Sequence, residues 1–523
     1  MKNILSVENM RKSDAATIAA KTPGRTLMMR AARGVFESVS WKGRVGIVCG
    51  SGNNAGDGYA LALCLDEAGI DCTVICIYDR FSDDGRYYYE KCKEAGIRIS
   101  GPDEKVSYAT FDMIVDCLLG TGFKGEVREY LAGVMEKINT SGAYVVSVDI
   151  NSGLNGDTGM ASLCVRSDLT VSIGDFKPGH FLNMAKDVMK DKVNCDIGIE
   201  PVDQPYHLVE ASDVSAALPM RDNMSNKGTY GYAALIGGCV RYSGAIRLAY
   251  LANAAMRSGA GVVKVALPAA IAKDVTPHIL ESTLFPLSDT CAGNPKQAAE
   301  EVHDQMESAS PFEANAQVMY VPGEIDELIS NVRTVAFGMG IGTGEGARQI
   351  LEHLLTGFDG NLIVDADGLT LLSGSDRQMT RDSKCIVILT PHIKEFSRLT
   401  GRDIKEINED PVGIAAAYAA DTGTIVLLKG PSTIITDGSR VFITDRGCAG
   451  MATAGSGDVL SGILAATVSY IDDKVMATAA AAYINGAAGQ LASSRYGDIS
   501  MIASDTVASI PEVIMSLAQK PRQ

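Results

Sequence analysis

The sequence predicts an α/β protein of two units, each a three-layer arrangement with a parallel sheet between helices. Short runs rich in Val, Ile and Cys, such as RVGIVCG (44–50) and DCTVICIYD (71–79), alternate with amphipathic stretches such as 57–68 and 82–95. Continuous apolar strands separated by helices are typical of parallel sheets that are buried on both faces. The chain has 523 residues, which is too long for one ordinary core, so two or three domains are expected.

The first series of elements begins with two helices in the first forty or so residues, separated by the sequence TPG. The predicted strands that follow are RVGIVCG, DCTVICIYD, FDMIVDCLLG, AYVVSVDI and LTVSIGDF, with predicted helices over 57–68, 82–95 and 126–139. The alternation breaks at 200–225, a stretch rich in Pro and Asp. We therefore expect one domain over residues 1–208 and a second over 209–523.

The second series repeats the same class of pattern without a short internal repeat. Its predicted strands are YAALIGG, VVKVALP, TVAFGMG, NLIVDAD, CIVILTP and TIVLLKG, and a helix is predicted over 244–258. A polar hairpin, TIITDGSRVFITD, then precedes two Ala-rich helices over 456–470 and 474–493.

Composition excludes several classes of protein. The formal charge of −16 argues against nucleic acid or an anionic membrane as the main partner. Twelve cysteines lie in apolar runs without a CxxC pair, so they are expected to be buried thiols rather than zinc ligands or disulfides. Neither a signal peptide nor an apolar run long enough to span a membrane is evident. We expect a cytoplasmic homo-oligomer that acts on small molecules.

A glycine-rich loop, GSGNNAGDG (50–58), follows the first predicted strand of the sheet. Glycines at a strand-to-helix turn let backbone amides approach an anion at the helix N-terminus. The two asparagines add amide donors and hard oxygen ligands, which suit a cation beside a phosphate. A purely structural turn, in which Asp57 caps the next helix, is the alternative.

Two more polar loops follow strands of the same sheet. The loop DCLLGTGFKGEV (116–127) carries Asp116 and Lys124, and SVDINSGLNGDTG (147–159) carries Asp149 and Ser152. Ligands of open α/β sheets bind beyond the carboxyl ends of the strands, so the three loops are expected to converge on one site. Asp149 and Lys124 are candidates for an acid/base pair. The alternatives are a turn-capping aspartate and a solvated surface lysine.

Together, GSGNNAGDG, DCLLGTG and VDINSGL resemble the NAD(P)H-hydrate epimerase domain, the YjeF N-terminal family. The resemblance implies a Rossmann-like fold that interconverts the R and S epimers of hydrated NAD(P)H at C6 of the nicotinamide ring. Lys124 and Asp149 would be catalytic, and a potassium ion would contact Asn54, Asp116 and Ser152. The implied substrate contacts are Asn53, Asn54, Ala55, Gly56, Asp57, Gly120, Thr121, Gly122, Phe123, Lys124, Gly125, Glu126 and Asp149. The family usually has Pro where this chain has Asn151, and we expect Asn to loosen that turn.

Six further motifs close predicted elements of the second series. They are NKGTYG (226–231), GMGIGTG (338–344), VDADGL (364–369), TPHIKEF (390–396), LKGPSTII (428–435) and AGSGDVLSG (454–462). The last presents amides at a helix N-terminus, an anion hole with Asp458 beside it. Singly, Asp365 and Asp367 could cap a strand end and His392 could be an interior histidine. The chain lacks GxxxxGK[ST], so it is not a P-loop enzyme.

In this order the motifs resemble the ADP- or ATP-dependent NAD(P)H-hydrate dehydratase, a ribokinase-like fold. The resemblance implies hydrate contacts at Ala233, Gly340, His392 and Asp458. The implied ADP contacts are Lys429, Gly430, Pro431, Ser432, Thr433, Cys448, Ala449, Gly450, Met451, Ala452, Thr453, Ala454, Gly455, Ser456 and Gly457. Two departures from the family are Lys394 in place of a common Gly and Cys448-Ala449 in place of Asn-Pro.

The combined resemblance implies repair of NAD(P)H hydrate, with the S epimer dehydrated as ADP is converted to AMP. Asp458 would take the hydroxyl proton while Mg²⁺ neutralises the phosphates. Three other interpretations stay open at this point. The second half could be a ribokinase-like vitamin kinase, the first half could be a dinucleotide-binding module only, or Asn151 could have inactivated the epimerase.

Overall fold

The computed structural model describes residues 1–20, 22–239, 249–290, 317–373 and 377–518. The chain folds as two compact units, one of residues 3–207 and the other of residues 208–523 with Met1 and Lys2. The predicted helix over 244–258 lies partly outside the described residues, and its described part is the helix Ala249–Arg257.

The first unit is built on a seven-stranded sheet in the order β4-β3-β2-β5-β6-β7-β8, and all of its strand pairs are parallel. The strands up to the boundary of the units are β1 (Lys2–Ile4), β2 (Val45–Cys49), β3 (Cys72–Cys76), β4 (Arg98–Ser100), β5 (Met113–Cys117), β6 (Tyr144–Val148), β7 (Ser167–Ile173), β8 (Met189–Cys195) and β9 (Tyr206–Leu208). The helices are Val7–Ala19, Gly24–Ser38, Asn53–Glu67, Asp83–Glu94, Glu129–Asn139 and Ala185–Val188, with single 3₁₀ turns at Tyr108–Thr110 and Pro178–His180.

Helices cover both faces of this sheet, as the apolar strands predict. On β2, Val45 and Ile47 pack in a cluster with the helices Gly24–Ser38 and Asn53–Glu67. Val48, which points to the opposite face, packs in a second cluster with the helix Glu129–Asn139. The first unit is therefore a three-layer α/β sandwich.

Two strands of this sheet were not predicted, β4 and β8, and they are its two edge strands. Strand β8 has the sequence MKDKVNC, and only its first and last residues are buried. It is the last strand of the sheet and pairs with β7 alone. An exposed edge strand carries charged residues, so it lacks the apolar run that marks a central strand.

In the described part of the second unit, nine strands lie in the order β18-β17-β16-β15-β14-β13-β10-β11-β12. Strand β17 is antiparallel to both of its neighbours, β16 and β18, and the pairs from β16 to β12 are parallel. The bounds are β10 (Tyr232–Gly237), β11 (Val262–Pro268), β12 (Thr283–Leu287), β13 (Thr334–Met339), β14 (Asn361–Val364), β15 (Ile386–Leu389), β16 (Ile425–Leu428), β17 (Thr433–Thr436) and β18 (Val441–Thr444).

The described helices of the second unit lie on both faces of this sheet. They are Ala211–Ala217, Ala249–Arg257, Ala269–Val275, Pro322–Ile329, Glu345–Gly357, Asp367–Ser373, Gln378–Arg381, Ile393–Thr400, Ile404–Glu409, Pro411–Thr422, Ser456–Tyr470, Lys474–Tyr496 and Ala503–Ala518, with 3₁₀ turns at Thr276–His278 and Ala449–Met451. The helices Ser456–Tyr470 and Ala249–Arg257 approach each other closely because Gly462 lacks a side chain. A Cβ on Gly462 would lie 2.4 Å from Leu251 O. None of the described helices combines the length and apolarity that a membrane span requires.

Two candidate active sites

A cavity of about 560 Å³ lies at the carboxyl ends of the strands in the first unit. Its polar wall comes from the three predicted loops, including Asn53, Gly120 and Asp149. Its apolar wall includes Met10 and Leu27, which belong to the first two helices of the chain. The convergence that parallel-strand geometry predicts is therefore present, and the N-terminal helices complete the cavity.

Asp149 lies in a strained turn at the end of β6. Its φ is +67°, a left-handed value that costs a residue other than glycine about 1 kcal/mol or more. Ile150 N donates to Val148 O at 2.9 Å across this residue, which closes a three-residue turn. The turn directs the Asp149 carboxylate towards Gly120 and Thr121, and Thr121 N donates to Oδ2 at 3.1 Å.

The ammonium that pairs with Asp149 belongs to Lys177. The Lys177 Nζ lies 2.7 Å from Asp149 Oδ1 and donates to Ile173 O at 2.8 Å, and its side chain is only 1% exposed. Burial disfavours the charged form of Asp149, but the charge and hydrogen bond of Lys177 together with the Thr121 N–H outweigh burial and lower the pKa of that carboxyl. The site therefore holds a buried, ionised carboxylate with one fixed cation.

His180 is neutral and supports the same turn. Lys177 N donates to His180 Nδ1 at 3.0 Å, so the proton is assigned to Nε2, which donates to Asp149 O at 2.8 Å. Burial, and next the charge of Lys177, lower the pKa of His180 to about 4. The imidazole is thus fixed in one tautomer and orients the Asp149 backbone.

A second carboxyl group, Asp57, faces the same cavity. Burial and then the negative charge of Asp149 raise the pKa of Asp57 well above its usual range. No hydrogen bond from the described part of the chain reaches its side chain, so it is not the helix cap that the sequence offered as an alternative. The cavity therefore places a carboxyl group whose charged form is disfavoured close to one whose charged form is stabilised.

The three residues implied to hold a cation converge around one backbone segment. Asn54 Nδ2 donates to Leu119 O at 3.0 Å, and Leu119 N donates to Ser152 Oγ at 2.8 Å. Asp116 is fully buried and accepts from Ser152 Oγ at 2.5 Å and from Ser152 N at 2.9 Å. Asn54 Oδ1 is buried and has no hydrogen-bond partner in the described residues. An unpaired amide oxygen beside a buried carboxylate fits a hard monovalent cation.

The predicted substrate contacts fall into three groups. Most of them line the cavity: Asn53, Asn54, Asp57, Gly120, Thr121, Gly122, Phe123 and Asp149. Ala55 and Gly56 point into the protein, where a Cβ on Gly56 would lie 2.5 Å from Met28. Lys124, Gly125 and Glu126 are exposed, and none of the three lines the cavity. The structure thus brings Lys177, not Lys124, to Asp149.

The expectation that Asn151 loosens its turn is corrected by the structure. Asn151 is fully buried, and its amide is hydrogen-bonded at both ends to residues of neighbouring segments. These buried hydrogen bonds of Asn151 restrain the turn that carries Asp149 and Ser152.

In the second unit, Asp458 lies in the first turn of the helix Ser456–Tyr470. Gly455 precedes the helix with a φ of +92°, and no side chain caps this N-terminus, so its amides remain available to an anion. Burial, and next the charge of Asp365, raise the pKa of Asp458 to about 7. A carboxyl group with this pKa is suited to proton transfer near neutral pH.

Asp365 and Lys429 form the charged centre of this site. The Lys429 Nζ lies 3.0 Å from Asp365 Oδ1 and 3.9 Å from Glu395 Oε2, and Ser461 Oγ donates to Asp365 Oδ2 at 2.8 Å. Burial alone would lower the pKa of Lys429, but Asp365 and Glu395 raise it. A Cβ on Gly457 would lie only 3.6 Å from Lys429 Nζ, so the lysine reaches the anion hole.

His392 and Gly340 lie at the carboxyl ends of their strands, as predicted. His392 is not an interior histidine: its side chain is half exposed, and its Nδ1 caps the helix Ile393–Thr400 by accepting from Lys394 N and Glu395 N. Gly340 has a φ of +68° and follows β13 directly. Ala233 instead lies at the start of β10, fully buried in the core, so the structure does not bring its side chain to the strand ends.

The two predicted ADP segments lie in different settings. Ser432 is buried and donates to Asp445 Oδ1 at 3.1 Å between the antiparallel strands β17 and β18. In the second segment, Gly450 N donates to Asp498 Oδ1 at 3.1 Å and Cys448 Sγ lies 3.5 Å from Gly489 O. The segment is therefore held by the C-terminal helices while its end at Ser456 opens the anion hole.

Several residues at these sites were not singled out from the sequence. Lys177 and His180 follow β7 in the stretch FKPGH, and a polar run after a strand was the available signal. Ser461 offers no such signal, because it differs little from other small residues of an Ala-rich helix. Ser461 reaches Asp365 because of the way the helix Ser456–Tyr470 is positioned along β14, the strand that Asp365 follows.

The fold and sites define the class of protein: an α/β enzyme with a buried Asp–Lys site in the first unit and a kinase-type anion hole in the second. A family model described as the YjeF-related protein N-terminus matches residues 24–179, and one described as NAD(P)H-hydrate dehydratase matches residues 233–512. The chain belongs to the family of bifunctional NAD(P)H-hydrate repair enzymes. The resemblance and the fold class predicted from the motifs are confirmed.

Two relatives illustrate this membership. The bifunctional NAD(P)H-hydrate repair enzyme of Moorella thermoacetica is 32% identical, over 95% of this chain and 94% of the relative. That of Archaeoglobus fulgidus is also 32% identical, over 94% of each chain. A solved structure of the ADP/ATP-dependent NAD(P)H-hydrate dehydratase from Bacillus subtilis, co-crystallized with ATP and Mg²⁺, is 26% identical, covers 60% of this chain and 99% of that chain, and has a TM-score of 0.49.

Proposed function

We propose that this chain repairs hydrated NAD(P)H in two steps. Residues 1–208 interconvert the R and S epimers, and residues 209–523 dehydrate the S epimer to NAD(P)H while ADP is converted to AMP. The observation that carries the proposal is the presence of both family regions, each with its own polar site at the strand ends, in one chain. A cytoplasmic location and a homo-oligomeric state remain part of the proposal.

Epimerisation requires a bond at C6 of the ring to break and re-form on the other face. C6 carries both a hydroxyl group and the ring nitrogen, so either bond breaks with a proton moving to or from one of these atoms. Asp149 is an ionised carboxylate on the cavity wall, and Asp57 is a carboxyl group on the same wall whose pKa is raised by burial and by the charge of Asp149. One can accept the proton while the other donates it. Lys177 keeps Asp149 ionised in this step.

A potassium ion fits beside this cavity. Asn54 Oδ1, Asp116 and Ser152 would hold it, because the first is an unpaired buried oxygen and the second a fully buried carboxylate. Burial raises the pKa of Asp116 despite the hydrogen bonds from Ser152, and a bound cation would offset that cost. Its chemistry would be electrostatic: it would neutralise Asp116 and fix the loops that carry Asn54 and Ser152.

Dehydration needs a better leaving group than hydroxide. Asp458 accepts the proton of the C6 hydroxyl as its oxygen attacks the β-phosphorus of ADP, which releases AMP and forms a C6 phosphate ester. The ring nitrogen lone pair then expels phosphate, and loss of a proton from C5 restores the double bond of NAD(P)H. The anion hole at Gly455–Gly457 and Lys429 would stabilise the transferred phosphoryl group.

The nucleotide would bring Mg²⁺ with it. The described residues contain no cluster of three or more side chains able to hold a metal, and Mg²⁺ is commonly bound by one or two carboxylates together with substrate phosphates. Asp365 and Glu395 are the carboxylates beside Lys429 that fit this arrangement. The ion would neutralise phosphate charge during transfer.

The test is to incubate the purified protein with mixed R and S hydrate, ADP and Mg²⁺, and to follow the return of reduced-nicotinamide absorbance. Full conversion supports both activities, and conversion that stops at the S fraction supports the dehydratase alone. If no absorbance returns, the proposal fails, and transfer of phosphate from ATP to vitamin alcohols becomes the activity to assay. Sedimentation velocity of the same sample decides the oligomeric state.

A further inference from the structure

The turn that carries Asp149 is held by a buried amide that the proposed chemistry does not use. Asn151 Nδ2 donates to Val165 O at 2.9 Å and to Val188 O at 3.0 Å. It also lies 3.0 Å from Ser167 Oγ, and Asn151 Oδ1 accepts from Thr170 Oγ1 at 2.6 Å. One side chain therefore joins the turn to β7 and to the segments on either side of β7.

The position of Asn151 along the chain gives this network its significance. It lies two residues after Asp149 and directly before Ser152, so a single peptide segment carries the carboxylate and a proposed potassium ligand. On β7, Val171 O accepts the backbone N–H of Asp149 at 2.8 Å, and the preceding residue, Thr170, holds the Asn151 side chain. Two consecutive residues of β7, Thr170 and Val171, thus form hydrogen bonds with the turn.

A left-handed φ at Asp149 persists only where the surroundings over-determine it. The backbone hydrogen bond to Val171 fixes where the turn begins, and the Asn151 amide fixes where it ends. Without the amide, two interior carbonyl groups would lose their partner and the turn could relax. Both Asp149, at Lys177, and Ser152, at Asp116, would then move from their present contacts.

We infer that Asn151 is a positioning residue of the epimerase site, which sets Asp149 against Lys177 and Ser152 against Asp116. The inference rests on the proposed epimerase function and adds to it. Asn151 does not touch the cavity, so its effect passes through the turn.

The experiment compares Asn151→Ala with a matched pair at its partner, Thr170→Val and Thr170→Ser, in the full chain. Thr170→Val keeps the shape and removes the hydroxyl, whereas Thr170→Ser keeps the hydroxyl. We expect Asn151→Ala to lower the kcat of epimerisation by at least about tenfold with a smaller change in KM, since misplaced catalytic groups lose rate rather than binding. Thr170→Val should show a smaller loss in the same direction, and Thr170→Ser should approach the parent.

Two further readouts separate positioning from general damage. The KCl concentration that gives half of the maximal rise in Tm should increase in Asn151→Ala and Thr170→Val, whereas dehydration of S hydrate by the same samples should not change. Unchanged kcat and KCl midpoint in Asn151→Ala would overturn the inference, as would equal losses in the two Thr170 variants. If Asn151→Ala does not fold, the Thr170 pair decides. If the parent does not epimerise, the proposed function fails and the KCl midpoints alone decide.

Discussion

Lys177 and Asp149 form an ion pair, 2.7 Å between Nζ and Oδ1, in which the lysine side chain is almost completely buried. Twenty-eight residues separate them, and their contact depends on β6 and β7 lying side by side. The pair fixes the charge state of the epimerase cavity, because a buried carboxylate without a cation would tend to take up a proton.

Replacing Lys177 with Met should lower the epimerisation rate by about a hundredfold or more, because the ionised form of Asp149 loses its counter-charge. The variant should also lose stability, by about 3–5 kcal/mol in the free energy of unfolding, since one partner of a buried pair is removed. Lys124→Met is the matched control and should behave like the parent. Chromatographic separation of the epimers over time measures the rate, and loss of epimerisation in Lys124→Met alone would contradict the assignment.

Asp458→Asn should abolish dehydration while ADP still binds. The amide cannot accept the hydroxyl proton, and general base catalysis of this kind contributes about a hundredfold to ten-thousandfold in rate. Calorimetric titration with ADP gives the binding constant, and the absorbance assay with S hydrate gives the rate. Near-normal turnover would remove Asp458 from the mechanism.

The pH dependence of dehydration should follow the pKa of Asp458, which is about 7. A base must be ionised, so kcat should rise with pH through this value and then level off.

The raised pKa of Asp458 also has a consequence for the stability of the chain. Between about pH 4 and pH 7 the folded state retains a proton that the unfolded state has lost, so the free energy of unfolding should fall as pH rises. Rate assays of the parent at several pH values measure the first profile, and urea titrations measure the second, which Asp458→Asn should flatten.

Potassium should raise the Tm of the chain, and Ser152→Ala should remove most of that rise. A cation that binds only the folded state stabilises it by mass action, and Ser152 is one of its proposed ligands. Ser107→Ala changes an exposed serine of the same unit and serves as the control. Scans in KCl and in choline chloride at equal ionic strength supply the measurement. An equal rise in both salts would argue against a specific site.

Replacement by Ala should cost more stability at Gly338 than at Gly342, two glycines of the second unit. A Cβ on Gly338 would lie 2.1 Å from Asp365 O, whereas a Cβ on Gly342 would meet nothing within 4 Å, although both residues have left-handed φ values of +117° and +81°. Gly342→Ala should lose about 1 kcal/mol of stability from backbone strain alone. Gly338→Ala should lose clearly more and impair dehydration, because the clash displaces Asp365. Urea titration of both variants decides, and equal losses would contradict the steric argument.

Much of the first unit follows from local sequence. The apolar strands β2, β3, β5, β6 and β7 were predicted because each is a largely buried run, and their order placed Asp149, Asn54 and Ser152 at one edge. Lys177 could not be found in the same way, because its role depends on which strands are neighbours. Strands β4 and β8 were missed because these edge strands lack the apolar pattern of the central strands.

In the second unit, motif spacing located the anion hole at Asp458 but not its electrostatics. The raised pKa of Asp458 comes from burial and from Asp365, which lies ninety-three positions earlier in the chain. Ala233 was predicted to contact the substrate because it follows the motif NKGTYG closely. It is instead the second residue of β10 and is buried in the core. Local patterns identify strand ends well, whereas contacts between distant strands require the fold.

The amide of Asn54 has a further consequence for the choice of ion. Leu119 O accepts from Nδ2, so the buried end of the amide that has no hydrogen-bond partner in the described residues is the oxygen, Oδ1. An Asn amide that is free to flip can present its oxygen to a cation or its nitrogen to an anion. The hydrogen bond to Leu119 O prevents this flip at Asn54. At the proposed potassium site, this orientation would exclude chloride and would leave cations such as sodium, ammonium and potassium as the competing ions.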